Sequence, residues 1–200
     1  MSILSFLKGL PIDLGQGNLR ITTKGKRIAL EYVDPGQGKT ALDIGCREGA
    51  QSEWLKAMGY EVTSIDVESN YPCAEIIDAN KDLPFTDSSY DLIWCSEVLE
   101  HLERPTHFRA EIDRLLKPGG KLVLTTPNSA FWFYKVAALF GKTPQDLQNP
   151  THIQFFNLQE IRALFPEAQL FGFFPYAIVR CKIARCIGAL SPTFVVILKK

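Results

Sequence analysis

An apolar strand that runs straight into glycines lets backbone come close to a ligand, and Ala41-Leu42-Asp43-Ile44-Gly45-Cys46-Arg47-Glu48-Gly49 has this form. Glycine lacks the Cβ that would clash with a bound group. Seventeen residues beyond Gly49, a second run, Val62-Thr63-Ser64-Ile65, ends in Asp66. A carboxylate there can accept both hydroxyl hydrogens of a ribose. Alone, Asp66 reads as a capping residue; at this spacing from a glycine turn, ribose binding is the better reading.

A further group, Ser96-Glu97-Val98-Leu99-Glu100-His101, sets two carboxylates and an imidazole close together. Imidazole changes charge near neutral pH, so His101 suits general base chemistry. The plainer reading makes the acids complements of a helix dipole and the histidine structural. Both stay open at this point. His152, in Thr151-His152-Ile153-Gln154-Phe155-Phe156, reads most simply as a surface-loop histidine.

The elements that must position these groups alternate between strand and helix from Lys39 to Leu124, the pattern of a doubly wound α/β sheet. Strands are expected at Thr40 to Gly45, Glu61 to Asp66, Ala74 to Asp78, Asp91 to Ser96, Lys121 to Thr126, near Gln169 to Phe174, and at Thr193 to Leu198. Helices are expected at Lys24 to Tyr32, about Gln51 to Met58, His107 to Leu116 and about Leu158 to Leu164. Gly59 and Pro118-Gly119-Gly120 supply the stop signals after two of them.

The run Phe131-Trp132-Phe133-Tyr134-Lys135-Val136-Ala137-Ala138-Leu139-Phe140, closed by Gly141 and followed by a polar loop to Pro150, interrupts the alternation after the fifth strand. Its apolar residues cover most of a helix circumference. Substrate lid, membrane-surface helix and core packing are all compatible with that composition. The chain thus divides into a helical cap over about 1–38, a ligand-binding half over 39–128, a lid-like insertion over 129–157, and a helix with strands over 158–200.

Two hundred residues suffice for one such domain, and 22 basic against 22 acidic residues give no net field to gather polyanions. Nucleic acid is therefore not expected as a partner. The five cysteines, Cys46, Cys73, Cys95, Cys181 and Cys186, form no CxxC pair and read as thiols of a reducing compartment. No run approaches the roughly 18 apolar residues of a membrane span, and Met1 to Leu10 lacks the long core of a secretion signal, so a cytoplasmic location is expected.

Four segments in order carry a family resemblance: Leu42 to Gly49; Ile65-Asp66-Val67; Asp78 with Leu83-Pro84-Phe85 and Tyr90-Asp91-Leu92-Ile93; and Leu115-Leu116-Lys117-Pro118-Gly119-Gly120-Lys121-Leu122. Over roughly Lys39 to Asn128 the chain resembles the class I S-adenosylmethionine-dependent methyltransferases, in particular the small-molecule branch with the ubiquinone-biosynthesis O-methyltransferases. The resemblance implies a Rossmann-like, mostly parallel seven-stranded sheet with an antiparallel last strand and helices on both faces. It implies S-adenosyl-L-methionine as cofactor, with Asp43, Gly45, Cys46 and Gly49 framing the methionine moiety. By the same resemblance Asp66 holds the ribose, Val67 packs on adenine, Asp78 and Ala79 face the adenine edge, and Cys95 and Ser96 line the methionine side.

It further implies that Glu97, Glu100 and His101 can hold a divalent metal such as magnesium, and that His152 lies near the acceptor, where it or His101 could act as base. The acceptor would be a small molecule, glycan or lipid-linked group, partly apolar, with peripheral membrane contact open and oligomeric state undetermined. Arg47 departs from the pattern, standing where the family commonly has a second glycine. Its guanidinium is expected in solvent.

Two other functions compete. A nicotinamide oxidoreductase would carry GxGxxG, whereas charged Arg47 and Glu48 separate Gly45 from Gly49. A cofactor-binding domain without turnover would share every feature above. Adenine-specific nucleic-acid methylation is disfavoured because Cys95-Ser96-Glu97-Val98 stands where its Asn/Asp-Pro-Pro-Tyr/Phe motif would fall.

Overall fold

The computed structural model describes residues 23–175 and 181–200. The expected 1–38 cap therefore lies partly outside the described residues. Within it, α1 (Lys24–Leu30) starts on Thr23, whose side chain accepts from the backbone N–H of Lys26. Then follow β1 (Thr40–Ile44), α2 (Ala50–Ala57), β2 (Glu61–Asp66), β3 (Ala74–Ile76), β4 (Tyr90–Ser96), a 3-10 turn (Leu99–His101), α3 (Pro105–Leu115) and β5 (Leu116–Pro127). The remaining elements are α4 (Trp132–Ala138), α5 (Pro144–Leu147), α6 (Leu158–Leu164), β6 (Gln169–Phe173), β7 (Lys182–Ile183), α7 (Ile187–Leu190) and β8 (Thr193–Lys199).

The strands form one sheet in the order β3-β2-β1-β4-β5-β8-β6-β7. From β3 to β5 every pairing is parallel, and β8 runs antiparallel between β5 and β6. The doubly wound architecture is as expected, but among the described residues the sheet has eight strands rather than seven. The added one is the two-residue edge strand β7, which pairs antiparallel with β6 and is too short to leave a periodic signal in sequence.

Alternation along each strand divides the core between the two faces. Ala41, Leu92, Trp94, Val123, Val195 and Ile197 pack with Ile28 and Ala29 of α1 and Leu55 of α2. Leu42, Ile44, Ile93, Leu122, Leu124 and Val196 face the other way, onto Phe108 and Ile112 of α3, Ile161 of α6 and Ile187 of α7. In α3, Pro105 sits in the first turn, where its missing N–H costs nothing. Its Phe108, Ile112 and Leu115 follow at helical spacing and are fully buried. Each such burial stabilises by about 1.5–3 kcal/mol.

Most expected boundaries hold to within two residues, and the larger departures lie in β5 and the insertion. β5 begins at Leu116 rather than Lys121, so Pro118-Gly119-Gly120 lies within the strand, beside a register shift at Tyr90 and Leu92. Crowding explains the glycine at 120: a Cβ there would meet the Lys117 carbonyl at 2.8 Å and the Tyr90 carbonyl at 3.0 Å. The aromatic run is helical only over Trp132–Ala138, and part of the loop expected after it forms α5, started by a Thr143–Asp146 capping box. β1 and β4 are neighbours although the chain makes two other strands between them. This reversal opens a crevice at their carboxyl ends, where open α/β sheets bind ligands.

Candidate active site

The turn after β1 is shaped by backbone that few residues can adopt. Gly45 has φ 79° and Gly49 has φ 78°. A Cβ on Gly45 would fall 2.2 Å from Val98 Cγ2, and one on Gly49 would fall 2.3 Å from the Tyr71 ring. Both positions therefore require glycine for space as well as for conformation. Arg47, between them, has φ 48° and is exposed.

Asp66 ends β2 beside this turn. Its Oδ2 accepts from the Arg47 backbone N–H at 2.8 Å and its Oδ1 from that of Glu68 at 3.2 Å. An ionised carboxylate offers about four acceptor positions, so both oxygens keep capacity for ribose hydroxyls. The next residue, Val67, is 62% exposed, an apolar surface of the kind a flat ring covers. Asp78 and Ala79 follow β3. Asp78 Oδ1 accepts from the backbone and side-chain nitrogens of Asn80 at 2.9 and 3.1 Å, making it a turn carboxylate, and Ala79 is buried.

Asp43 lies beneath the turn rather than on its surface. It is 1% exposed and accepts from Ser52 Oγ at 2.6 Å, and Ser64 Oγ donates to Ser52 Oγ at 2.8 Å. This chain of buried hydrogen bonds ties β1 and β2 to the first turn of α2. Burial pushes the Asp43 carboxyl up to about 6, while Ser52 and the charge of Lys26 oppose the rise. Cys46 is buried, with Sγ 3.8 Å from Ser69 Oγ.

Cys95, expected at the methionine side, shares the face of Leu42 and Ile44 and is fully buried in the core under α3. Strand alternation sends it inward, and burial raises its pKa well above that of a free thiol. Ser96, its neighbour, is bonded through Oγ to Thr125 Oγ1 at 2.8 Å.

Beyond β4, Glu97 takes φ 58°, and its Oε1 accepts from Thr125 Oγ1 at 2.8 Å. Glu100 is 1% exposed; its Oε2 accepts from Thr126 Oγ1 at 3.0 Å, while Oε1 has no hydrogen-bond partner. Burial raises both carboxyls. Glu97 pushes Glu100 further, and Lys26 of α1 offsets part of each shift.

Two histidines converge on Glu100. His101 Nδ1 lies 3.1 Å from the Thr151 carbonyl, which can only accept, so Nδ1 carries the proton and Nε2 the lone pair of the neutral ring. His152 Nδ1 faces Gln148 Oε1 at 3.2 Å, which favours the same tautomer. The rings stand nearly perpendicular with centroids 4.8 Å apart. One ligand atom each from Glu100, His101 and His152 lies within 4.8 Å of the other two. The structure thus groups Glu100 and His101 with His152 rather than with Glu97, because the Glu100 carbonyl accepts from the backbone N–H groups of Ile153 and Gln154, both at 3.0 Å, and draws that segment in.

Sequence reasoning missed Lys26 and Gln148. Lys26 looks like any lysine of an amphipathic helix, and Gln148 fell in an expected loop. The short α5 ends at Leu147, just before Gln148, and so sets it one turn from His152. The insertion before it has its own small core of Phe131, Phe133, Tyr134, Ala137 and Leu147, with Val136, Leu139 and Phe140 outward.

Known proteins resemble this chain in sequence and in fold. A family model described as a methyltransferase domain matches residues 18–171. A ubiquinone biosynthesis O-methyltransferase of Coxiella burnetii is 32% identical over a stretch covering 54% of this chain and 53% of that protein. One of Xanthomonas oryzae pv. oryzae is 35% identical, covering 50% of this chain and 49% of that protein. The chain thus spans about half the length of the curated relatives it matches. An S-adenosylmethionine-dependent methyltransferase of Mesorhizobium loti superposes with a TM-score of 0.68 at 15% identity, covering 89% of this chain and 98% of that one, which speaks for the fold. The family match runs from before α1 into β6, and the chain belongs to the methyltransferase-domain family, with the class I S-adenosylmethionine-dependent fold.

Proposed function

We propose that this protein transfers a methyl group from S-adenosyl-L-methionine to an oxygen of a small, partly apolar acceptor. The observation that carries this reading is the cluster of buried Glu100 and His152 with half-buried His101, just beyond the carboxyl end of β4. The S–CH3 bond breaks as the oxygen–carbon bond forms, and its electron pair stays on sulfur to give the neutral thioether. The proton of the acceptor hydroxyl goes to Nε2 of His152 or His101. Because sulfur is already a good leaving group, the protein mainly has to hold the reacting atoms about 3 Å apart and exclude water.

The acceptor class is argued from two sides. The relatives above are named for O-methylation in ubiquinone biosynthesis, which favours a quinone-like phenol over a glycan. The outward Leu139 and Phe140, flanked by Lys135 and Lys142, would suit contact with an anionic membrane surface from which a lipid-linked acceptor is drawn. Among the described residues no helix is long and apolar enough to cross a membrane. All five cysteines are free, in keeping with a cytoplasmic setting. Incubation with labelled cofactor and a panel of phenols, lipid-linked phenols and glycans, read by mass spectrometry, tests the reading. Methylated glycan with no methylated phenol would overturn it.

We also propose that Glu100, His101 and His152 hold a divalent cation. The donor set fits: Glu100 Oε1 is a buried carboxylate oxygen lacking a hydrogen-bond partner, and both rings turn their proton-bearing Nδ1 toward oxygen acceptors, as ligating histidines do. Two imidazoles with one carboxylate suit manganese, iron or zinc better than magnesium. Such an ion would take the Nε2 lone pairs in place of the acceptor proton, and it would lower the pKa of the acceptor hydroxyl instead of the histidines acting as bases.

A further inference from the structure

Arg47 is the non-glycine member of a turn in which Gly45, Arg47 and Gly49 all have positive φ. A side chain in that region carries strain that glycine escapes. Both of its backbone polar groups are held by the segment that follows β2. The N–H donates to Asp66 Oδ2 at 2.8 Å, and the carbonyl accepts from Ser69 Oγ. Ser69 Oγ in turn accepts from the Tyr71 N–H at 3.0 Å and touches Cys46 Sγ at 3.8 Å.

Tyr71 completes the contact. Its ring lies against Gly49, its hydroxyl accepts from Lys56 Nζ at 2.6 Å, and it donates to Glu53 of α2. One strap, from Asp66 to Tyr71, therefore grips the glycine turn at Arg47 and at Gly49. The same strap carries the ribose carboxylate and the exposed Val67.

We propose that Ser69 is a positioning residue for the cofactor: by holding the Arg47 carbonyl it keeps the turn in the shape that a second glycine would adopt unaided. Ser69 thereby couples the methionine-side turn to the loop assigned to ribose and adenine. This inference rests on the reading of the turn as the cofactor site.

The test is calorimetric titration of S-adenosylhomocysteine into wild type, Ser69→Ala, Arg47→Gly and the double variant, with melting temperature recorded for each. Ser69→Ala should weaken binding about tenfold when Arg47 is present and less than about twofold when glycine replaces it. If Ser69→Ala folds poorly, Ser69→Cys, which keeps the volume and weakens the bond, carries the same comparison. Equal losses in both backgrounds, or no loss in either, would overturn the role of Ser69. A wild-type protein that binds no S-adenosylhomocysteine would overturn the cofactor site itself, and this inference with it.

Discussion

His152 Nε2 stands 3.8 Å from Glu100 Oε1, joining the segment before α6 to the 3-10 turn beyond β4. Both residues are buried, so the polar atoms between them have little access to solvent. A bound cation or an acceptor hydroxyl would satisfy Glu100 Oε1, and an unpaired carboxylate oxygen in such a place costs about 1–3 kcal/mol or more.

If a cation resides there, purified protein should contain close to one equivalent of manganese, iron or zinc by elemental analysis. His152→Ala should reduce that content sharply, and Glu100→Gln should reduce it and abolish any metal dependence of turnover. Full activity after exhaustive chelation, with no metal found in either protein, would leave the histidines as bases alone.

Asp66→Ala should weaken S-adenosylhomocysteine binding by about 1.5–3 kcal/mol, the range for hydrogen bonds to a charged group. The same change frees the Arg47 and Glu68 N–H groups, so part of the loss comes through the shape of the turn. Asp66→Asn, which keeps an acceptor, should recover a portion. Titration calorimetry decides the matter, and unchanged affinity in Asp66→Ala would remove the ribose assignment.

The strand positions along the chain and the glycine turn were legible because each has a local cause: apolar runs bounded by glycine, and a carboxylate at a strand end. The partner of Glu100 was not. His152 reaches it only because backbone N–H groups of Ile153 and Gln154 bond the Glu100 carbonyl, a pairing without sequence periodicity. The end of β4 was legible too, although the burial of Cys95 there follows from strand alternation and from the helix that covers that face. β7 escaped notice because two residues on an edge strand carry no pattern.

Asp43 links burial to pH. Its carboxyl rises from 3.8 to about 6 on folding, so the folded state holds this proton more tightly than the unfolded chain does. The stability associated with that proton is full below about pH 4 and is lost as pH rises through about 6. Two units correspond to roughly 3 kcal/mol. Asp43→Asn stays neutral throughout. Its stability should therefore gain on wild type by up to about that amount between pH 4 and pH 7, as read by denaturant unfolding at each pH. A difference that does not vary with pH would mean that Asp43 is ionised in the fold at a normal pKa.

The insertion separates into residues that hold it together and residues it shows to the outside, and the two sets should respond differently. Phe133 is 2% exposed and packs with Phe131, Tyr134 and Leu147, so Phe133→Ala should destabilise by about 3–5 kcal/mol if this small core unfolds with the rest of the domain. Leu139 is 83% exposed and Phe140 54%, so Leu139→Ser with Phe140→Ser should leave the melting temperature nearly unchanged. These two side chains follow the end of α4, with Lys135 and Lys142 near them in the chain. Co-sedimentation with phosphatidylglycerol vesicles should show binding by wild type that weakens severalfold in the double serine variant and falls with added salt, as apolar insertion assisted by lysines predicts. Turnover of a water-soluble acceptor should be retained in that variant, while turnover of a vesicle-borne acceptor should fall. Equal vesicle binding by both proteins would assign the exposed face to something other than a membrane, whereas loss of soluble turnover would place Leu139 and Phe140 in the acceptor site itself.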